Sequence, residues 1–163
     1  MESSNEPRPL FIYGTLCAKP LLAWALTGDS SNVAQIHHML RPACVHGYRR
    51  FAVKHADYPA VISSSNGSDF VDGYLLQAET PSQRRKLDDF EGEQYKVISV
   101  VVALVRHDDQ DAEETITADM YLWDDDTDLL SSEPWELEIF VKDRLEDWID
   151  IFDGMELIGE HDK

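Results

Sequence analysis

The chain has 163 residues, 43% of them apolar, which is enough for one folded domain with a sizeable core and argues against a disordered chain. Its formal net charge of −18 would repel phosphate groups, so nucleic acid and anionic membranes are not expected partners. Cys17 and Cys44 are too few for a disulfide framework, and we expect reduced thiols in a cytoplasmic protein. We expect neither a secretory signal nor a membrane span, because no apolar run is long enough.

The first half of the chain alternates short apolar runs with turn-forming residues. Residues 10–13 predict a buried strand that stops at Gly14, and residues 21–26 predict a helix that ends at Gly28. Residues 29–40 are ambiguous. Asn66-Gly67 predicts a tight hairpin that makes the strands on either side of it partners. The strands predicted in this region are residues 42–45, 48–53, 58–62 and 70–77.

The second half begins with a helix over residues 80–90, because Thr80 can cap it, Pro81 suits its first position and Gln83 can complete a capping box. The β-branched run 97–105 predicts a strand covered on both faces or lying in a closed barrel. An acidic loop follows at 107–114, and alternation over 116–123 predicts a strand with two different faces. A last helix opens at Pro134, and its apolar face comprises Leu137, Val141, Leu145, Trp148, Ile149 and Phe152.

These elements predict an α+β protein, a small and mostly antiparallel β-barrel with flanking helices. Neither an internal repeat nor a linker divides the chain. We therefore expect one domain over residues 9–152, with flexible tails at 1–8 and 153–163.

Two segments could carry chemistry. Gly14 lets the backbone turn and lets a ligand approach, so consecutive amides after the first strand could bind a carboxylate or an oxyanion; an ordinary strand end is the alternative. Glu91 stands beside Gly92 before a long apolar strand. In a dry pocket its carboxyl pKa would rise from about 4.3, which suits proton transfer near neutral pH; a surface acid is the alternative.

Other candidates are weaker. Tyr95 and Tyr121 could line a pocket or could be core aromatics with locally satisfied hydroxyls. The adjacent His37 and His38 do not share a face of a helix or strand, so no metal site is predicted. Cys17 lacks an evident base and is expected to be a buried thiol.

Read together, the two segments resemble a known family. Tyr13-Gly14-Thr15-Leu16 is followed about 75 residues later by Asp-Asp-Phe-Glu-Gly-Glu-Gln-Tyr, residues 88–95, before a Val-rich strand. This pair resembles the γ-glutamylcyclotransferase-like family, and in particular its avirulence-induced-protein-like branch, which is similar to γ-glutamylamine cyclotransferases. The resemblance covers roughly residues 10–150 and includes residues 42–51, 58–61, 71–74 and 118–123.

The resemblance implies a β-barrel with flanking helices and a cavity at one end. It implies that residues 13–16 (Tyr13, Gly14, Thr15 and Leu16) bind the substrate, largely through backbone amides, and that Glu91 is the general acid/base. The implied reaction is of the transferase or lyase type and needs no cofactor and no metal. The α-amine of a small γ-glutamyl substrate attacks its own γ-carbonyl and yields 5-oxoproline and a released amine or amino acid.

The sequence leaves several questions open. The leaving group could be an amino acid, a lysine side chain, the dipeptide of glutathione or a small amine, and the oligomeric state is not specified. One alternative function is a non-catalytic module in which the same barrel binds a small metabolite or serves regulation. Another is a protein-interaction domain that uses the acidic C-terminal helix, although the apolar face of that helix is expected to be needed by the core.

Overall fold

The computed structural model describes residues 7–91, 94–104 and 114–153, except the side chains of Glu91, Phe152 and Asp153. The predicted tails, apart from residues 7, 8 and 153, lie outside the described residues, as does the predicted acidic loop apart from Glu114. Over the described ranges, no helix has the length and apolarity needed to cross a membrane.

Five of the strands, numbered in chain order, close into a barrel in the order β1-β5-β2-β6-β7. Neighbouring strands are antiparallel except β1 and β7, whose parallel pairing completes the closure. The predicted α+β barrel is therefore confirmed. The barrel strands are β1 (Leu10–Ile12), β2 (Leu40–His46), β5 (Phe70–Leu76), β6 (Tyr95–Leu104) and β7 (Thr115–Trp123).

The hairpin predicted at Asn66-Gly67 is wrong. Strand β4 (Pro59–Ser63) pairs with β3 (Tyr48–Ala52) in a separate two-stranded sheet, whereas β5 pairs with β1 and β2. The segment between β4 and β5 carries the chain from the hairpin back to the barrel. Asn66 does not adopt the positive φ of the predicted turn; its side chain accepts hydrogen bonds from the amide and hydroxyl of Ser68 instead.

The barrel has an apolar interior and a partly solvated exterior. Val97 and Val101 on β6 are 47% and 62% exposed, so of the two alternatives for this strand the closed barrel is correct and covering on both faces is not. Strand β7 has two faces, as predicted: Ala118 and Met120 pack in the barrel interior, whereas Tyr121 packs in a second core beneath the helices.

The helices cover part of the barrel exterior. The α1 helix ends at Gly28, which adopts φ 83° as a left-handed cap. At the start of α3 the Gln83 amide donates to the Thr80 hydroxyl at 3.2 Å, while the Gln83 side chain accepts from the Glu79 amide. The helices are α1 (Lys19–Thr27), α2 (Val33–Ile36), α3 (Pro81–Glu91), α4 (Leu137–Asp143) and α5 (Leu145–Asp153), with short 3-10 helices at Thr15–Cys17, His37–Met39 and Thr127–Leu129.

The single C-terminal helix predicted after Pro134 is wrong, because it breaks at Arg144 into α4 and α5. Phe140 is buried, whereas Val141, which was predicted on the apolar face, is 42% exposed. The Arg144 guanidinium donates to Asp57 at 2.9 Å, which holds the break against the β3–β4 connection. Phe140 and Leu145 pack with Trp135, so the core does use this apolar face.

The close approach of strands β1 and β5 leads to the first prediction. A Cβ added at Gly73 would lie 2.1 Å from the Ile12 carbonyl oxygen, which is backbone and has little freedom to move. We expect Gly73→Ala to lower the free energy of unfolding by about 3 kcal/mol or more, because the strands must separate to admit the methyl group. Gly67→Ala is the control, since its added Cβ meets open space. Similar melting temperatures for the two variants would contradict the close approach.

Candidate active site

The strand register brings four chain segments to one end of the barrel. Strands β1 and β7 run parallel, and Tyr95 at the start of β6 pairs with Trp123 at the end of β7. The end of β1 and the loop after it therefore lie at the same end as the start of β6. Glu91 is the last residue of α3, four positions before Tyr95. The backbone of Glu91 and the loop of residues 13–16 therefore lie toward the same end of the barrel, while the Glu91 side chain lies outside the description.

The loop after β1 forms a tight 3-10 turn where a plain loop was expected. Its Cys17 amide donates to the Gly14 carbonyl at 2.9 Å. The amides of Gly14, Thr15 and Leu16 donate no hydrogen bond to any residue in the described part of the chain. Three consecutive N–H groups are therefore available to an acceptor from outside the loop.

Gly14 is favoured by the limited space at this position. Its φ of −122° is open to any residue. A Cβ at this position, however, would lie 3.0 Å from both Cγ and Cδ of Pro59 at the start of β4. The missing side chain lets the β3–β4 hairpin pack directly against the loop.

Thr15 is a buried polar residue of the loop, with 4% of its surface exposed. Its hydroxyl makes no hydrogen bond to the residues that the structure describes. A buried hydroxyl without a partner costs about 1–3 kcal/mol. Thr15 is therefore a polar group that would gain from a bound ligand.

The three tyrosines of the predicted site are each hydrogen-bonded to neighbouring segments. The Tyr13 hydroxyl donates to the Tyr121 carbonyl at 2.7 Å, and the Tyr121 hydroxyl donates to Oδ1 of Asp88 at 2.5 Å. The Tyr95 hydroxyl donates to the Pro59 carbonyl at 2.8 Å. The structure therefore connects the loop, the hairpin, β7 and α3 through these side chains.

Arg50 is a residue of this region that the sequence analysis missed. Its Nη1 donates to the Tyr13 carbonyl at 2.8 Å and to the Asp72 carbonyl at 3.0 Å, while Nη2 bonds the Asp72 carboxylate at 2.8 Å. A guanidinium on β3 thus holds the start of the loop. No local pattern distinguishes Arg50 from its neighbour Arg49, since the difference arises from how the hairpin docks.

Arg84 on α3 was also missed. Its side chain is 13% exposed and donates to Asp88 at 3.0 Å and to Asp119 on β7 at 2.9 Å. Burial by itself would lower the pKa of the Arg84 guanidinium, but the hydrogen bonds to Asp119 and Asp88 outweigh it and hold that pKa above its ordinary value. Arg84 is therefore a fixed positive charge between two carboxylates.

Within the described ranges, no group of three or more His, Cys, Asp or Glu side chains is arranged to hold a metal ion. Cys17 is buried behind the loop, where its thiol donates to the Ile12 carbonyl.

The chain belongs to the family described as "Gamma-glutamyl cyclotransferase, AIG2-like", which it matches over residues 10–137. It is 26% identical over 155 residues to Protein AIG2 C of Arabidopsis thaliana, an alignment that covers 94% of this chain and 85% of that protein. The resemblance to the γ-glutamylcyclotransferase-like family is therefore confirmed.

Solved structures share the fold. An Arabidopsis thaliana protein solved in solution has a TM-score of 0.57 and 23% identity, covering 99% of this chain and 89% of that one. A yeast γ-glutamyl cyclotransferase specific to glutathione has a TM-score of 0.51 and 14% identity, covering 73% and 69%. At these identities the likeness supports the barrel fold and nothing finer.

Arg50 supplies the second prediction. We expect Arg50→Gln to lower the free energy of unfolding by about 1–3 kcal/mol, because it removes charge-assisted hydrogen bonds that tie the loop to β3. Arg49→Gln is the matched control, since Arg49 is exposed and 3.8 Å from Asp69. Chemical denaturation of both variants measures the difference. Equal stabilities would show that Arg50 does not hold the loop.

Proposed function

We propose that this chain catalyses the intramolecular cyclisation of a γ-glutamyl compound to 5-oxoproline, with release of an amine or amino acid. The observation that carries the proposal is the convergence of two segments at one barrel end. These are the loop of residues 13–16, with three available amides, and the end of α3, where Glu91 lies. Membership of the cyclotransferase family supports it.

The proposed reaction requires the protein mainly to position the substrate and to transfer a proton. The α-amino nitrogen attacks the γ-carbonyl carbon of the same molecule, and the bond from that carbon to the leaving nitrogen breaks. Because the nucleophile and the electrophile are tethered, holding the folded-back conformer supplies much of the rate. Glu91 takes the proton from the attacking amine and returns it to the leaving nitrogen. The bonds and protons of this reaction balance without a cofactor or a metal.

The loop would recognise the substrate through its backbone. The amides of Gly14, Thr15 and Leu16, together with the Thr15 hydroxyl, can donate to the α-carboxylate or to the oxyanion that develops on the γ-carbonyl. Such local donors are what an anionic group needs in a chain of net charge −18. Tyr95 and Tyr121 complete the proposed wall of the site.

The proposed substrate is a small γ-glutamyl compound whose leaving group is an amino acid, a lysine side chain, the glutathione dipeptide or a small amine. We take residues 9–152 as the catalytic domain. Both cysteines are thiols, which suits a reducing compartment, and we propose that the reaction takes place in the cytoplasm.

The third prediction tests Glu91. We expect Glu91→Gln to reduce 5-oxoproline formation by about 10²- to 10⁴-fold or more, because the amide cannot accept and return the proton. The assay measures free 5-oxoproline from a panel of γ-glutamyl compounds that represents each class of leaving group. Asp89→Asn, an exposed carboxylate on the same helix, is the control and should retain wild-type activity.

The outcomes separate the proposed enzyme from a binding module. Product from the wild type and from Asp89→Asn, but not from Glu91→Gln, supports the proposal and identifies the leaving-group class. A fully active Glu91→Gln would remove Glu91 from the mechanism. A wild type that forms no product but whose melting temperature rises with a γ-glutamyl ligand would instead support a module that binds without turnover.

The fourth prediction concerns Thr15. Thr15→Val keeps the side-chain shape but removes a buried hydroxyl that makes no hydrogen bond to the described residues. We expect an unchanged or raised melting temperature and a KM raised about tenfold, because one hydrogen bond to the substrate is lost. Thr15→Ser, which keeps the hydroxyl, should retain a KM close to that of the wild type. A destabilised Thr15→Val with an unchanged KM would mean that the hydroxyl serves the fold.

A further inference from the structure

Tyr121 contacts both segments of the proposed active site. Its backbone carbonyl accepts the hydrogen bond of the Tyr13 hydroxyl at 2.7 Å, and its own hydroxyl donates to Asp88 on α3 at 2.5 Å. Tyr121 is 5% exposed and its bond to Tyr13 is buried, which strengthens that bond, whereas its bond to Asp88 is part-buried because the Asp88 side chain is 43% exposed. One residue of β7 therefore connects the loop that would bind the substrate to the helix that carries Glu91.

Asp88 lies close to Glu91 along the helix. It is three residues earlier, which places it on the same side of α3 and about 4.5 Å away along the helix axis. The final turn of a helix tends to fray. A hydrogen bond at Asp88 restrains that turn from the side that faces β7.

A second contact supports this attachment. Four residues before Asp88, Arg84 binds Asp119, which lies two residues before Tyr121 on the same face of β7. Four helical residues advance about 6.0 Å, and two strand residues advance about 6.6 Å, so the two contacts match in spacing. Two points of attachment fix both the rotation and the axial position of α3 on β7.

The charges within this attachment are balanced. Asp88 accepts from both Arg84 and Tyr121, and Asp119 accepts from both Arg84 and Arg8. Two guanidinium groups thus face two carboxylates, which leaves the Tyr121 hydroxyl as a neutral donor in the network. Removing this hydroxyl deletes its contact with Asp88 and leaves the two guanidinium groups facing the two carboxylates.

We propose that Tyr121 is a positioning residue that holds the last turn of α3 in register with the loop of residues 13–16. The proposal rests on the proposed function, in which the Glu91 carboxylate must reach a substrate held by the loop. A displacement of about 1 Å can cost up to 10²-fold in rate. Loss of the Tyr121 hydroxyl should therefore slow turnover more than it weakens substrate binding.

The fifth prediction compares Tyr121→Phe with a matched control. Tyr121→Phe keeps the ring and removes the bond to Asp88. Ser64→Ala removes another hydroxyl-to-carboxylate bond of 2.5 Å, to Asp69, at the opposite end of the β3–β4 hairpin from Pro59. We expect Tyr121→Phe to lower kcat by about 10- to 100-fold with KM within twofold of the wild type, and Ser64→Ala to leave both unchanged.

A second readout does not depend on activity. Amide hydrogen exchange over residues 87–91 should be faster in Tyr121→Phe than in the wild type, while exchange in α1 should be unchanged. Kinetics and exchange are both measured well below the melting temperature of each variant. Asp88→Asn serves as the second substitution. The side-chain amide oxygen of the variant still accepts from Tyr121, but its interaction with Arg84 is no longer an ion pair. Its kcat should lie between those of the wild type and Tyr121→Phe.

The outcomes decide between roles. A lower melting temperature with unchanged kcat would make Tyr121 merely structural and overturn the proposal. A raised KM with unchanged kcat would overturn it in favour of substrate binding. Should the wild type form no 5-oxoproline, the proposed function fails, and the exchange measurement still decides the tie between Tyr121 and α3. Unchanged exchange at residues 87–91 would then also overturn the proposal that Tyr121 holds the last turn of α3.

Discussion

The parallel pairing of β1 with β7 is the constraint on which the rest of the structure depends. Antiparallel neighbours place successive loops at alternate ends, whereas this one parallel pair places the ends of β1 and β7 together. Only Leu10 and Phe11 of β1 pair with β7, so the closure is short. It is reinforced where Gly73 lets β5 approach the Ile12 carbonyl without a side chain between them. The strand pairing that closes the barrel therefore also brings the segments of the proposed site to one end of it.

Two arginines place positive charge next to the proposed site in a chain that is otherwise strongly acidic. In a chain of net charge −18 most carboxylates can remain solvated, but the Asp119 side chain on β7 is only 14% exposed, while Asp88 on α3 remains 43% exposed. A buried carboxylate is tolerated when a hydrogen-bonded cation accompanies it. Arg84 fills that role between helix and strand, and Arg50 holds the Tyr13 and Asp72 carbonyls between hairpin and loop. These bonds set geometry more than they add net stability.

The sequence predicted those features whose cause is local. The Thr80 cap, the Gly28 stop and the two faces of β7 follow from side chains near them in the chain, and all are confirmed. The barrel followed from the run of strands, but strand partners did not, because Asn66-Gly67 fitted a hairpin that long-range pairing overrode. At the helix break Arg144 bonds Asp57, 87 residues away, and no helical pattern contains such a contact. For the proposed site, the sequence motifs predict residues 13–16 and Glu91, whereas Arg50, Arg84 and the link through Tyr121 arise from docking between distant segments.

The proposed site uses a backbone turn for substrate binding and a helix end for proton transfer. A backbone turn offers amides whose positions are fixed by the Cys17 and Ala18 bonds of the 3-10 helix, so binding depends little on flexible side chains. Proton transfer is assigned to a helix end, which is the less rigid element and needs external support. A hydroxyl from the barrel wall can supply that support without adding another charge beside the acid/base. This explains why a tyrosine, and not a further ion pair, stands between the loop and α3 at position 121.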